Sequence, residues 1–403
     1  MMDDRTQVII VGGGLAGLGV AHALGGRGVS CVVLERGLMH GSSGAMPRGR
    51  DSDLRQTAVS YGSQQLMTSW GVWDEHLASA ACKMTSICVQ DGGDSAKTVF
   101  SAVEHGYERL GSIIAQSLLR EGLARGLSRH SSVRVIEEAA IKTMTRGADG
   151  VEVVLEQGTV RGAVVVAADG RCSPIAQGAS LGYYTYDYGQ QAVVAVMAHE
   201  KPHEGLACEL FLPQGTLALL PMADDEAGRH RSSLVWSLGH EAAQAMLACS
   251  DDIFAEQVAY YSESLFGPMS LVSKRQTFPL TLTRAGAYVG DRLALVGDAC
   301  RSLHPLAGQG INLGWRDGEA LAKVIHEAHT LGLDCGTQAI LRRYEKARYA
   351  DSLALMAATH GLNRLFAHRN PLSVAFRRCA VRMFAQVMPL QQKMMRYGMG
   401  MSA

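Results

Sequence analysis

The sequence predicts an α/β fold in which a domain built on a parallel sheet is interrupted by an antiparallel sheet and followed by a helical tail. Three observations predict it. A short apolar run, Val8–Val11, leads into a glycine-rich turn and then into a helical pattern. Alternating and apolar runs bounded by turn residues dominate between Leu181 and Arg284, as in an antiparallel sheet. From Ile311 onward the pattern is mostly helical.

The composition excludes several classes of protein. The chain has 403 residues, of which 47% are hydrophobic and 19% charged, so it can bury a sizeable core. Its formal net charge is zero, and no nucleic-acid partner is predicted. Nine cysteines form no Cys-x-x-Cys pair and no secretory leader opens the chain, so we expect reduced thiols and a cytoplasmic location. No cluster of His and Cys has metal-ligand spacing, so no metal site is predicted.

The N-terminal region has the order strand, turn, helix, strand. In the turn, Gly12 permits a tight bend, Gly14 lets the backbone approach a pyrophosphate, and Gly17 lets helix and strand pack closely. The start of the helix favours an anion. Glu35, followed by Arg36, ends the second strand, where a carboxylate can accept hydrogen bonds from ribose hydroxyls. A turn without a ligand would not need this acid, so we predict a dinucleotide site; FAD and NAD both remain open here.

The remaining elements divide the chain into three parts. A loop is predicted at residues 37–51, and helices at Tyr61–Trp70 and Ser112–Leu127. Strands are predicted at Val133–Ile136, Val151–Leu155, Ala163–Ala168, Gln191–Ala198, Leu206–Leu212, Thr216–Leu220, Ser232–Leu238 and Leu293–Val296. The resulting domains are a discontinuous dinucleotide-binding domain (1–80, 101–180 and 285–350), an inserted sheet domain for the substrate (81–100 and 181–284) and a C-terminal helical region (351–403).

A long motif, Gly297–Asn312, favours FAD as the dinucleotide. Asp298 follows a buried strand and can bond the ribityl hydroxyls of a flavin. Beyond His304-Pro305, the residues Gly308 and Gly310 leave room for a flat ring system. Asn312 opens a helix whose N–H groups can stabilise the negative edge of a reduced flavin. His304 itself fits a packed loop histidine better than a catalytic base, and no catalytic residue is assigned.

With the glycine turn and a second motif, Asp169-Gly170, this run resembles the three fingerprints of the single-component FAD aromatic monooxygenases. The resemblance spans nearly the whole chain and implies a para-hydroxybenzoate hydroxylase-like FAD domain. It assigns Asp169 to the cofactor backbone and Arg55 and Gln116 to contacts with FAD. From the residues alone, Arg55 also fits a surface position and Gln116 a polar helix face. The family usually has Arg where this chain has Ala176, which puts its handling of NAD(P)H, the expected reductant, in doubt.

Segments of the insert and the tail are similar to the flavin hydroxylases of ubiquinone biosynthesis, the 2-polyprenylphenol hydroxylase-like branch. They are Asp187–Val194, His203–Gly205, Phe211–Pro221, Ser233–Ser237 and Met394–Gly400. The resemblance implies that a polyprenylated phenol is hydroxylated through a C4a-hydroperoxyflavin formed with O2 and NAD(P)H or another donor. Three alternatives stay open: a hydroxylase of small soluble aromatics, a prenyl reductase on the same scaffold, and a non-catalytic flavin-binding subunit of a quinone-synthesis complex.

The C-terminal tail is basic and rich in methionine. From Ser352 to Ala403 there are seven Lys or Arg and no Asp or Glu, and seven of the 18 Met lie between Met356 and Met401. Such helices suit an anionic membrane surface or a partner protein, and they equally suit a packed helix with a solvated basic face. We expect the tail to contact the inner membrane face or a quinone-synthesis complex.

Overall fold

The computed structural model describes residues 2–39, 55–92, 97–304, 308–367 and 388–401. Its strands are β1 (Met2–Val11), β2 (Cys31–Leu34), β3 (Gln56–Ser60), β4 (Cys82–Met84), β5 (Ser86–Asp91), β6 (Lys97–Ser101), β7 (Gly111–Ala115), β8 (Val133–Ile136), β9 (Ile141–Gly147), β10 (Gly150–Leu155), β11 (Gly158–Ala167), β12 (Tyr183–His199), β13 (Leu206–Leu212), β14 (Gly215–Met222), β15 (His230–Gly239), β16 (Met269–Leu271), β17 (Gln276–Ala285), β18 (Val289–Gly290), β19 (Leu293–Leu295) and β20 (Arg301–Ser302). Its α-helices are α1 (Leu15–Gly25), α2 (Tyr61–Ser69), α3 (Glu75–Ala80), α4 (Gln116–Gly126), α5 (Pro174–Gly178), α6 (His240–Ala248), α7 (Asp251–Tyr261), α8 (Gly310–Thr330), α9 (Gln338–Ala367) and α10 (Met388–Gly398).

An eight-stranded sheet forms the centre of the first domain. Its order is β18-β19-β11-β1-β2-β8, with β9 and β10 as an antiparallel extension beside β11. The apolar run Val8–Ile10 is fully buried, as expected for central parallel strands covered on both faces. Val11 pairs with Ala167, which in turn pairs with Leu295, so β1, β11 and β19 end at one edge. Ligands of open α/β sheets bind at such an edge, outside the carboxyl ends of the strands.

A nine-stranded sheet makes up the insert. Its order is β20-β17-β12-β15-β14-β13-β5-β6, with β16 beside β12, and most of its pairs are antiparallel. One face carries Val193, Leu217 and Trp236, which pack against α6 and α7. The sequence analysis did not predict these two helices. Strand β12 carries an irregularity between Asp187 and Gln190 that leaves two residues without partners on β17.

A three-stranded antiparallel sheet, in the order β3-β7-β4, lies between these two. The predicted helix from Ser112 to Leu127 is wrong in its first four residues, because Gly111–Ala115 is a strand and α4 begins at Gln116. All five residues of β7 are buried, and a buried apolar run has no periodicity that separates strand from helix. Cys82–Met84 pairs with β7 here, although the predicted boundaries put it in the substrate domain. Arg301–Ser302, predicted in the first domain, pairs with β17 of the insert.

From Gly310 onward the described part of the chain is helical, as the pattern from Ile311 onward predicts. Helix α8 packs closely on α1: the indole N–H of Trp315 donates to the Leu15 carbonyl at 2.8 Å, and Gly318 faces Val20. Helix α9 packs on α8, and α10 packs between the three-stranded and nine-stranded sheets. None of the described helices combines the length and apolarity needed to cross a bilayer.

Candidate functional site

The glycine turn between β1 and α1 has the geometry that the sequence predicts. Gly12 adopts a φ of +106°, and a Cβ built there would lie 2.5 Å from the Ala168 carbonyl oxygen. At Gly17 a Cβ would overlap the Gly12 carbonyl. Gly14 differs, because among the described residues, its chain neighbours aside, no atom lies within 4 Å of a Cβ built on it. The open space beside Gly14, at the N-terminus of α1, is suited to a pyrophosphate.

Glu35 lies beside this turn. Its Oε2 accepts a hydrogen bond from the Gly13 N–H at 2.5 Å, and its Oε1 accepts one from the Gly37 N–H at 3.0 Å. The next residue, Arg36, is exposed. The carboxylate is therefore held at the mouth of the turn, where a ribose would follow a pyrophosphate.

The sequence analysis missed Arg120, which also reaches this turn. Its Nε donates to the Gly13 carbonyl at 3.0 Å, and its Nη2 lies 3.6 Å from the Met39 sulfur. Arg120 lies one helical turn after Gln116 on α4. The i, i+4 spacing on one helix face could have identified it.

Asp169 follows β11 at the same edge of the sheet, with its backbone packed against Gly12. Burial raises the pKa of its carboxyl group. Its Oδ1 is buried and has no hydrogen-bond partner among the described residues. A buried acceptor without a donor beside a glycine turn fits a ligand that brings hydroxyl groups. Ala176 is fully buried in α5, so this position offers no cation to a nucleotide phosphate.

Asp298 lies in the turn after β19. Its side chain is exposed to solvent, yet it is surrounded by protein closely enough that desolvation raises its pKa, against the influence of Arg171 and Arg301. This combination is typical of a side chain in the wall of a cleft. The preceding Gly297 has a φ of +63°, and a Cβ there would lie 2.9 Å from the Ala16 Cβ of α1. The turn of Asp298 and the N-terminus of α1 therefore line one cleft.

The loop that leads into α8 lies against β3. Gly308 has a φ of +58°, and a Cβ there would lie 2.9 Å from the Ala58 Cβ. At Gly310, no atom from another part of the described chain lies within 4 Å of a built Cβ. Pro305 lies outside the described residues. Asn312 is 1% exposed; its Oδ1 accepts from the Ser60 N–H at 3.0 Å. Its Nδ2 donates to the carbonyls of Ala58 at 2.8 Å and Gly308 at 3.2 Å. The amide of Asn312 therefore fixes the first turn of α8.

Arg55 and Gln116 lie together at the junction with the insert. The Gln116 N–H donates to the Arg55 carbonyl at 2.9 Å. The Arg55 guanidinium lies over the Phe278 ring, 5.4 Å from its centroid, within the range of a cation–π contact. Phe278 pairs with Ala192 in the nine-stranded sheet, so Arg55, which directly precedes β3, connects the three-stranded sheet with the insert.

An aromatic–histidine cluster, formed by Tyr186, Tyr188, His304 and His360, lies at the edge of the insert nearest this loop. The Tyr188 ring makes edge-on contacts with Tyr186 at 5.1 Å and with His304 at 5.0 Å, and its hydroxyl lies 3.2 Å from His360 Nδ1. Burial raises the pKa of Tyr188 to about 12 and lowers that of His304 to about 4. The sequence analysis missed this cluster apart from His304; alternating tyrosines at the start of β12 were its only local signal.

Comparison with known proteins decides the family. The profile of the FAD-binding domain family matches residues 5–359. The chain belongs to that family. It is 36% identical to the ubiquinone hydroxylase UbiL of Rhodospirillum rubrum over 99% of this chain and 90% of the relative. It is 28% identical to the 3-demethoxyubiquinol 3-hydroxylase of Escherichia coli over the whole of both chains.

Solved structures agree on the fold. PqsL of Pseudomonas aeruginosa superposes with a TM-score of 0.76 at 21% identity, covering 93% of this chain and all of that one. The p-nitrophenol 4-monooxygenase PnpA of Pseudomonas putida gives a TM-score of 0.75 at 18% identity, covering 98% and 97%. The predicted fold class, FAD as cofactor and the enzyme class, an FAD-dependent monooxygenase, are confirmed.

Proposed function

We propose that this chain hydroxylates the aromatic ring of a polyprenylated phenol in ubiquinone biosynthesis. One observation carries the proposal: strand β12 of the insert contacts the segment after Asp298, because the Tyr183 hydroxyl donates to the Ala299 carbonyl at 2.7 Å and the Tyr188 ring contacts His304 at 5.0 Å. The relatives named for ubiquinone hydroxylation match over the full length of this chain, insert included, which supports the same substrate class here.

The residues of the cleft fit FAD. The start of α1 at Gly14 would take the pyrophosphate, Glu35 a ribose, and Asp169 and Asp298 hydroxyl groups of the cofactor. The open backbone at Gly310, the first residue of α8, would face the ring.

Further contacts to the cofactor are proposed at the remaining predicted positions. Gly12 and Gly17 shape the turn, Gly308 and Asn312 hold the loop, and Arg36, Arg55, Gln116 and Pro305 complete the predicted set. Bound FAD supplies the redox chemistry and the activation of O2. The protein must exclude water and hold the substrate ring. NAD(P)H is the proposed reductant.

The insert offers a surface for an apolar chain. Val235 of β15 pairs with Val194 of β12 on one side and with Ala218 of β14 on the other. They lie on the face opposite to Trp236 and the helices α6 and α7, and all three are only half-buried. A continuous band of partly covered apolar side chains suits a prenyl tail. We therefore propose that the nine-stranded sheet is the substrate domain.

The basic tail suits a membrane surface, where a prenylated substrate would be met. Lys393, Met394 and Arg396 are exposed on α10, which gives this helix two cations and one flexible apolar side chain at its surface, and Arg364 is exposed near the end of α9. The arginines at 369, 377, 378 and 382 lie outside the described residues. We propose peripheral contact with the inner membrane face, or with a quinone-synthesis complex, from the cytoplasm. Sedimentation with anionic but not with zwitterionic vesicles would support the membrane contact.

The function is tested with purified, FAD-loaded protein, a prenylated phenol and NAD(P)H, against water-soluble phenols. We expect oxygen uptake that depends on the prenylated phenol and a product heavier by one oxygen atom. A product heavier by two hydrogen atoms would identify a prenyl reductase, and preference for soluble phenols would identify the other hydroxylase class. If FAD binds and no phenol stimulates reoxidation of the flavin, the chain is a non-catalytic subunit and the proposal is wrong.

A further inference from the structure

The C-terminal helix α10 packs against two sheets of the protein. Met395 and Met399 are buried in an apolar cluster that includes Ile113 of β7 and Ala207 of β13. The cluster thus joins the three-stranded sheet to the substrate sheet. The Gly62 N–H donates to the Met399 carbonyl at 2.8 Å, which fixes the end of the helix against α2.

Tyr397 connects α10 to a buried network of charged groups. Its hydroxyl donates to Asp351 Oδ1 at 2.9 Å, and burial and this carboxylate raise the pKa of Tyr397 to about 12, so it remains a donor. Asp351 Oδ2 lies 2.8 Å from Arg348 and 3.7 Å from Arg316. Arg348 Nε in turn donates to Asp317 at 2.9 Å. A helix at the end of the chain is therefore tied to the interior of α8 and α9.

Asp317 carries this connection to the flavin cleft. Its fully buried carboxylate accepts two hydrogen bonds from Arg301, at 2.8 and 3.0 Å. It also accepts one from the N–H of Gly297 at 3.4 Å, and Gly297 precedes Asp298. Three residues in series, Asp351, Arg348 and Asp317, therefore connect Tyr397 to Gly297, which precedes Asp298.

A second contact from α10 acts on Gln309, between Gly308 and Gly310. The Gln309 Nε2 donates to the Gly398 carbonyl at 3.0 Å. Of the two ends of the Gln309 amide, only the NH2 group can donate a hydrogen bond to a carbonyl, so this contact fixes which way the amide is turned. Its Oε1 is then turned away, where it is buried and has no hydrogen-bond partner among the described residues. An acceptor in this loop suits the imide N–H of a flavin ring.

We propose that Tyr397 is a positioning residue, and that docking of α10 and binding of FAD stabilise each other. Tyr397 acts through Asp351 and Asp317 on the turn of Asp298, while the Gly398 carbonyl orients the amide of Gln309. The coupling is reciprocal: whatever factor the docked helix adds to FAD affinity, FAD adds to helix docking. The inference rests on FAD lying in the proposed cleft and is independent of which phenol is hydroxylated.

The first test uses the unmodified full-length protein. Amide hydrogen exchange across residues 388–401 is measured with and without saturating FAD, and flavin fluorescence reports occupancy. We expect exchange in this segment to slow by at least roughly 5-fold with FAD, the lower end of the usual range of coupling between two sites. Equal exchange with FAD demonstrably bound would overturn the coupling, whereas a protein that binds no FAD would overturn the cofactor site and the coupling with it.

The second test is Tyr397→Phe, with Tyr260→Phe as the matched control, since Tyr260 is 73% exposed on α7. The FAD dissociation constant should rise by roughly 5- to 30-fold in the first variant only. Because Tyr397 acts through Asp351, Tyr397→Phe with Asp351→Ala should weaken FAD no more than Asp351→Ala alone. Unchanged FAD affinity in Tyr397→Phe, with only a lower melting temperature of the FAD-free protein, or additive effects in the double variant, would show a merely structural role.

Discussion

The amide of Asn312 makes three hydrogen bonds, one of them buried and two partly buried, and its removal is the change whose cost the structure specifies most closely. In Asn312→Ala the buried Ser60 N–H loses its acceptor, and the carbonyls of Ala58 and Gly308 lose a donor. An unpaired buried N–H costs about 1–3 kcal/mol, and a carbonyl costs less because it has a second lone pair. We therefore expect the free energy of unfolding to fall by about 2–4 kcal/mol.

The substitution Asn312→Asp separates the direction of these bonds from the shape of the side chain. The introduced carboxylate keeps an acceptor for Ser60 but turns its second oxygen toward two carbonyls. At pH 7 we expect a loss at least as large as in Asn312→Ala. The two carbonyls raise the pKa of the introduced carboxyl group. As the pH falls, this group gains a proton that it can donate to a carbonyl, so the loss of stability should become smaller.

Urea unfolding of the FAD-free proteins measures both variants, with the slope of the transition as a check that the unfolded state is unchanged. FAD affinity is measured in parallel, because a displaced first turn of α8 should weaken binding. The reasoning is refuted if Asn312→Asp is as stable as the unmodified protein at pH 7, since the amide would then not face two carbonyls.

Three further predictions concern the glycine turn, two buried histidines and Tyr188. Gly12→Ala should lower stability by about 2–4 kcal/mol and abolish FAD binding, because the added Cβ would clash with the Ala168 carbonyl. The control is Gly28→Ala, at a φ of +70° and away from other described residues, which should cost only about 1 kcal/mol of strain. Equal losses in chemical unfolding would contradict the contact with Ala168. Burial lowers the pKa of His22 and of His304 to about 4, so both are neutral in the folded protein. The unfolded chain therefore binds more protons, and each histidine should remove about 2 kcal/mol of stability as the pH falls from 7 to 5. In urea titrations His304→Gln should lose less stability over this range than the unmodified protein, and an equal loss would exclude His304. Tyr188→Phe should keep FAD affinity but lower the ratio of hydroxylated product to hydrogen peroxide, and an unchanged ratio would place Tyr188 away from the substrate.

The sequence predicted those parts of the fold that are encoded locally. The run Val8–Val11, the glycine turn and the acid at Glu35 form one unit of about thirty residues, in which each residue type has a stereochemical reason. Ser112–Ala115 failed because a fully buried strand has no period of its own. Helix α7 could have been found, since Ser250 caps it by accepting a hydrogen bond from the Ile253 N–H, a recognisable start signal.

The site was predicted only where one segment supplies it. The turn at Asp298 and the loop to Asn312 belong to one motif and were predicted together as cofactor contacts, and they remain a prediction. The aromatic–histidine cluster combines β12, a loop and α9, and the link from Tyr397 to Asp317 combines three helices. Such contacts cannot be predicted from local sequence, because they form only when the packed elements bring together side chains that are far apart in the chain.

The central claim is that FAD lies in the cleft between the N-terminus of α1 and the turn of Asp298. Titration of the FAD-free protein with FAD, followed by flavin fluorescence, tests it most directly when run on the unmodified chain, on Asp298→Ala and on Asp252→Ala, an exposed aspartate of α7. The account predicts one FAD per chain, at least tenfold weaker binding in Asp298→Ala, and no change in Asp252→Ala. A chain that takes up no flavin, or equal affinity in all three proteins, would contradict it.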